Sequence, residues 1–222
     1  MKRTIYHGSD HVIQKPVHGF GKENNDYGLG FYCCSQKSLA EEWASKISDV
    51  PGVVNKYEII DDGLKILDLT KPPFDNPFYW VAVLVHFKKL PSKLVSQCFR
   101  ELAYLEKEFY VDVSQYDVVI GYRADDNYFQ FPQALIRSEI LISSLEEVFR
   151  LGELGKQYVL ISPKAFSRIK FVESFDSTLD YKSYRSRKEN ADISYKELLE
   201  RDRYRNGVRM IDLVRDKDDG RL

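Results

Sequence analysis

No apolar run in this sequence is long enough to cross a bilayer. The longest uninterrupted one is Trp80 to Val85, whereas a spanning helix needs about 20 such residues. The first twenty residues lack the apolar centre of a secretory signal. Three cysteines, Cys33, Cys34 and Cys98, are too few for a disulfide framework and match no zinc spacing. Cys33 and Cys34 are adjacent, so in a strand they point to opposite faces. The chain reads as a reduced, cytoplasmic protein with small buried thiols and no membrane association. An excess of one charge is missing too: 33 Lys plus Arg stand against 34 Asp plus Glu, a formal net charge of −1. A nonspecific nucleic-acid binder needs a basic excess to displace counterions. Bulk capture of nucleic acid is therefore excluded, although a local basic patch is not.

What is present is ample for a core. A length of 222 residues suits one domain with an appendage, or two small domains. With 43% hydrophobic and 14% aromatic residues, most of the chain should fold. Thr4 to Ser9 begins as a strand broken by Gly8. Residues 14–27 hold Pro16, Gly19, Gly21 and the Asn24-Asn25-Asp26 cluster, and read as a long loop. Gly30 to Cys34 is a strand, and Ser35 caps a helix over 36–48, where Leu39, Trp43 and Ile47 fall four apart. Lys56 to Ile60 and Leu64 to Leu69 flank Asp61-Asp62-Gly63, a hairpin signature. This portion predicts an α+β fold with a mainly antiparallel sheet.

Pro72, Pro73 and Pro77 interrupt the chain before Phe78-Tyr79-Trp80. Ser92 to Glu108 carries Leu94, Val95, Cys98, Leu102 and Leu105 at helical spacing. Tyr116 to Tyr122 fits a buried strand, ending in Gly121 and the polar Arg123 to Asp126. Ser143 caps a short helix to about Leu151. Gln157 to Ile161 and Arg168 to Val172 read as strands, with Pro163 opening a one-turn helix between them. Residues 174–222 then carry 12 Lys plus Arg and 11 Asp plus Glu, nearly half of the segment. This divides the chain into a domain over 1–173 and a charged, partly helical extension over 174–222. The extension is expected to be helical over Tyr195 to Arg205, frayed from Asp216, and to carry no chemistry. No internal repeats are present.

Tyr6-His7-Gly8-Ser9, a loop, and then Tyr27-Gly28-Leu29-Gly30-Phe31-Tyr32 resemble the first two motifs of the ADP-ribosyltransferase superfamily. The branch resembled is the diphtheria-toxin and poly(ADP-ribose) polymerase type, written His-Tyr-Glu. Lys156 to Phe171 is similar to its third strand and following helical turn, with Gln157 where the glutamate would stand. More narrowly, YHGS, YGLGFY, YDVVIGYRADDNYF and LGELGKQYVLISPKAF look like a little-characterised bacterial domain family of that clan. The resemblance covers about residues 1–173, with the three motifs in order. It implies an ADP-ribosyltransferase-like split antiparallel sheet with peripheral helices, and NAD+ as substrate. It also implies catalytic roles for His7, Tyr32 and Gln157, and cofactor-binding roles for His7, Gly8, Ser9, Gly30, Tyr32 and Arg123.

These residue types suit that chemistry. Cleaving nicotinamide from NAD+ develops an oxocarbenium-like ribose, so the leaving group must be oriented and positive charge stabilised. A neutral His7 can hydrogen-bond ribose hydroxyls. Gly8 lets the backbone approach a carboxamide, and Tyr32 offers a ring for stacking. On their own, His7 would be a structural histidine and Tyr32 a core aromatic. His7, His11 and His18 share no helical face, so no metal is expected.

Gln157 keeps a hydrogen bond where the family has a charge, and one preorganised electrostatic contact is worth on the order of 10²–10³ in rate. Either the enzyme tolerates glutamine, or a nearby carboxylate (Glu153, Asp125 or Asp126) substitutes, or NAD+ binds without turnover. Arg123 is either a phosphate ligand or part of an ion-paired turn. Glu153 lies where the superfamily places its acceptor loop, and is otherwise a solvated charge. Tyr181, Tyr184, Arg185 and Arg187 suit nucleic acid, a partner protein or solubility alike. The expectation is an NAD+-dependent mono-ADP-ribosyltransferase acting on a protein or nucleic-acid acceptor. By the resemblance it is a bacterial toxin or defence effector with an antitoxin partner. The rivals are a silent NAD+ or ADP-ribose binding module and a pure interaction domain.

Overall fold

Seven strands make one mixed sheet in the computed structural model, which describes residues 2–47, 52–124, 130–150, 155–178 and 181–218. The strands are β1 (Lys2–Ser9), β2 (Phe31–Cys34), β3 (Val53–Ile60), β4 (Ile66–Asp68), β5 (Val118–Tyr122), β6 (Lys156–Leu160) and β7 (Ile169–Asp176). Their order across the sheet is β4-β5-β6-β2-β1-β3-β7. The fold is α+β, and every pairing is antiparallel except β4 with β5. The two wings of this sheet meet at a single residue pair, Tyr6 of β1 with Cys34 of β2. By contrast, β1 pairs with β3 along its whole length.

The wings curve toward each other. Ile59 of β3 lines a common cavity with Val118 and Ile120 of β5 and Leu160 of β6. In a flat sheet β3 and β5 would stand four spacings apart, about 19 Å. Ile5, Cys33, Tyr57, Val118, Ile120 and Leu160 form the buried cluster between them. Val119 and Val159 alternate to the other face and join the larger core beneath the helices. Cys33 and Cys34 likewise fall into different clusters.

That larger core is built on α2 (Pro77–Phe87), a helix that neither spacing nor polarity announced. Asn76 caps it by accepting from the Phe78 N–H at 3.0 Å, and Pro77 fills its first turn. Phe78, Trp80, Val81, Ala82, Val83 and Leu84 are all buried, as expected of a helix apolar on every side. The helix predicted from Ser92 is two, α3 (Ser92–Gln97) and α4 (Phe99–Phe109), parted where Cys98 leaves helical geometry at φ −119° and ψ 34°.

The hairpin expected at Asp61-Asp62-Gly63 does not form. The turn exists, with Leu64 N–H donating to Asp61 O at 3.0 Å and Gly63 at φ 74°. It passes the chain between wings instead: β3 pairs with β1 and β7, and β4 pairs in parallel with β5. Among the described residues up to 178, the other α-helices are α1 (Lys37–Ile47), α5 (Gln130–Ile136), α6 (Leu145–Arg150) and α7 (Pro163–Ser167). Ser162 caps α7.

Beyond them come α8 (Tyr181–Arg203) and α9 (Met210–Asp218). Helix α8 starts fourteen residues before the predicted Tyr195, and α9 carries helix past Asp216, where fraying was expected; the last four residues lie outside those described. Ala191, Tyr195, Leu198, Met210 and Val214 are buried in the core that holds α2. Asp202, fully buried, accepts from the Leu141 N–H at 2.9 Å. Among the described residues, no helix is long and apolar enough to cross a membrane.

Candidate functional site

The cleft opens where β1 and β2 part. Past the Tyr6–Cys34 pair the backbones diverge, and the His7 side chain fills the gap by donating from Nδ1 to Tyr32 O at 2.6 Å. A carbonyl only accepts, so the proton sits on Nδ1 and the neutral ring leaves Nε2 as an acceptor. Burial lowers the His7 pKa, and His11 adds to this, whereas the Tyr32 carbonyl opposes it. The ring lies 4.5 Å from that of Phe31.

A small cavity of about 20 Å³ begins at this point, lined by His7, Gly8, Tyr32, Trp43, Arg123 and Gln157 among others. A larger open cleft continues from His7, Tyr32, Trp43 and Gln157 to Gly30, Asp26, Lys88 and Lys89. His7, Gly8, Tyr32, Arg123 and Gln157 are thus brought together from β1, β2, the end of β5 and β6, and Gly30 stands on the adjoining wall. Ser9 is not among them. Its buried hydroxyl donates to His11 O at 2.5 Å and accepts from Asn55 Nδ2 at 2.9 Å, which anchors the start of the long loop. Glu153, Asp125 and Asp126 lie outside the described residues.

Each wall residue is fixed for a physical reason. Gly8 faces α1: an added Cβ would stand 2.1 Å from Ala40 O and 2.7 Å from Ala44 N. The Tyr32 hydroxyl donates to Gly28 O at 2.6 Å and accepts from Tyr27 N–H at 3.0 Å. Burial pushes its pKa up. The phenol is thereby an anchor, and the ring is what it offers to the cleft. Gly28, at φ 75°, makes the turn that brings the loop into reach. Cys34 also lines the cavity, but burial pushes its thiol up to about 11, which keeps it protonated and a poor nucleophile at neutral pH.

Two groups were missed by sequence reading. Trp43, read as an apolar helix position, lies under the Arg123 guanidinium, 4.4 Å from the ring centroid. Asp26, read as part of a turn cluster, is buried behind Gln157. Its Oδ2 accepts from Gln157 Nε2 at 3.1 Å and from Ala124 N–H at 2.9 Å, and its Oδ1 lies 2.9 Å from Lys88 Nζ. Desolvation raises the Asp26 pKa, with Lys88 the main opposing influence. Gln157 itself is 4% exposed, and its Oε1 has no hydrogen-bond partner among the described residues. No cluster of three or more potential metal ligands occurs among those residues.

A family model described as a protein of unknown function (DUF3990) matches residues 3–171, from the start of β1 into β7. No curated protein and no solved structure matches the chain.

Proposed function

The chain belongs to the DUF3990 family, and we propose that it is an NAD+-dependent mono-ADP-ribosyltransferase. One observation carries this reading: the buried Gln157 Oε1, without a partner among the described residues, lines the cavity it shares with His7 and Tyr32. An unpaired buried acceptor costs about 1–3 kcal/mol, which a ligand hydroxyl donating to it would recover. His7 lines the same cavity from the opposite wing, with Nε2 as a second acceptor. Two acceptors beside an aromatic ring suit a ribose diol carrying a flat heteroaromatic group.

In the transfer, the bond between ribose C1′ and the nicotinamide nitrogen breaks and its electron pair leaves with nicotinamide. The acceptor's nucleophile bonds to C1′ and loses its proton. His7 and Gln157 would hold the ribose hydroxyls, Tyr32 would orient the leaving ring, and the Arg123 guanidinium over Trp43 would meet the anionic part of the substrate. The acceptor, protein or nucleic acid, would enter from the larger cleft.

Labelled NAD+ mixed with purified protein and cell lysate tests this. Label should appear in a nuclease-sensitive or a protease-sensitive fraction, and His7→Ala should lower the initial rate on the order of 10²-fold. Saturable NAD+ binding without nicotinamide release would instead identify a binding module. Absence of any NAD+-induced thermal shift would refute both.

A further inference from the structure

We infer that Asp26 is the positioning residue of this site: its carboxylate fixes the Gln157 amide with Oε1 toward the cavity, and it carries, one amide away, the negative charge that glutamine lacks. The inference rests on the transferase reading.

The orientation follows from hydrogen-bond chemistry. A carboxylate accepts and does not donate, so Asp26 Oδ2 at 3.1 Å selects the NH₂ end of the Gln157 amide. A flipped amide would set two oxygens against each other. The atom left to the cavity is therefore an acceptor, held by geometry rather than by chance of rotamer. The buried carboxylate is gripped from three separate elements: Gln157 on β6, Ala124 just beyond β5, and Lys88 just beyond α2. An asparagine could accept from the first two donors equally well. What asparagine could not supply is charge, and a buried charge is costly unless paired and hydrogen-bonded. Here it is both, directly behind the Gln157 Oε1 that has no partner among the described residues. Asp26 also lines the larger cleft, so it faces the ligand's side as well as the protein's.

The test is a charge relocation in the full chain. Nicotinamide release and calorimetric NAD+ binding are measured for wild type, Asp26→Asn, Gln157→Glu and the double variant, with thermal unfolding of each. Asp26→Asn keeps an acceptor oxygen and loses the charge. It should lower kcat about 10–100-fold with KM within about 2-fold, the signature of an interaction made in the transition state. Gln157→Glu alone places two carboxylates in contact, where they resist joint ionisation, and should also be slower. The double variant moves the charge to position 157 with an amide beside it, and should return kcat to within about 3-fold of wild type, a non-additivity that a loop anchor would not show. Should Asp26→Asn fail to fold, combining it with Lys88→Met leaves a neutral pair, and that background replaces it throughout.

Wild-type kcat in Asp26→Asn, a double variant no faster than the slower single one, or a large gain in Gln157→Glu alone would each overturn the inference. If wild type releases no nicotinamide, the transferase reading fails by itself and NAD+ affinity decides for Asp26. A loss of about 10-fold in Asp26→Leu combined with Lys88→Met, which leaves the Gln157 amide without its acceptor and free to turn, then supports it, and unchanged affinity overturns it. Wild type that binds no NAD+ overturns both.

Discussion

At the scale of single residues, the site depends on side chains whose polar atoms are already half committed. His7 uses Nδ1 on Tyr32 O, Tyr32 uses its hydroxyl on the loop, and Gln157 uses Nε2 on Asp26. Each leaves one face or one atom over. The sequence motifs named His7, Tyr32 and Gln157 correctly as neighbours, because strand order and short spacing survive in the linear chain. Ser9, the next position of the same motif, spends its hydroxyl on His11 O and Asn55 instead of lining the cleft. Asp26 could not be found, because its partners are 62, 98 and 131 positions away, and an Asn-Asn-Asp cluster reads as a turn. Burial of His7 makes a prediction. Its native pKa lies below the ordinary 6.5, so the unfolded chain binds that proton first as pH falls. Its contribution to stability is whole above about pH 6.5 and declines below it. Between about pH 7.5 and 5.5, wild type should therefore lose more of its urea midpoint than His7→Gln does. Equal losses would show that His7 is not held neutral.

At the scale of elements, local signals found α1, α4 and the buried strand β5 but missed α2. Helix α2 has no polar face, so no periodicity marked it; its start is nevertheless written in Asn76-Pro77, a cap followed by a first-turn proline. The Asp61-Asp62-Gly63 turn was recognised, but turn chemistry fixes the bend and not the partner strand. Here long-range pairing with β1 and β7 takes β3 away from β4. Helix α2 matters to the site because Lys88 follows its last turn and reaches Asp26. Asn76→Ala removes the cap bond at the other end and should cost about 0.5–2 kcal/mol in urea unfolding. A loss of that size without change in NAD+ affinity would separate the helix's structural share from that of Lys88.

At the scale of the whole molecule, the compositional break near residue 173 is not a break in packing. The family match ends at residue 171, yet among the described residues Ala191, Tyr195 and Leu198 of α8 and Met210 and Val214 of α9 are buried in the core that contains α2. Arg201 adds paired bonds to Glu147 at 3.0 and 2.8 Å. Residues 1–178 alone would leave the Leu141 N–H without Asp202 and strip the core of Leu198 and Met210. Single core truncations of such side chains cost about 2–5 kcal/mol, and a domain has only about 5–15 in all. The shortened chain should show no cooperative unfolding transition by circular dichroism; a transition at the full-length midpoint would make the tail dispensable. Charge counting blurred this, because the apolar residues of α8 and α9 are few and set among ions.

The single rung between β1 and β2 gives the cleft a mechanical character. Everywhere else adjacent strands are laced by three or more residue pairs, but here the backbone joins the two wings once, through Tyr6 and Cys34. His7 stands on one wing, and Tyr32 and Gln157 stand on the other. Whatever small molecule touches all three closes the seam that the ladder leaves open. Occupancy would therefore tighten the sheet itself, and the bound molecule would serve for a moment as a missing part of the fold.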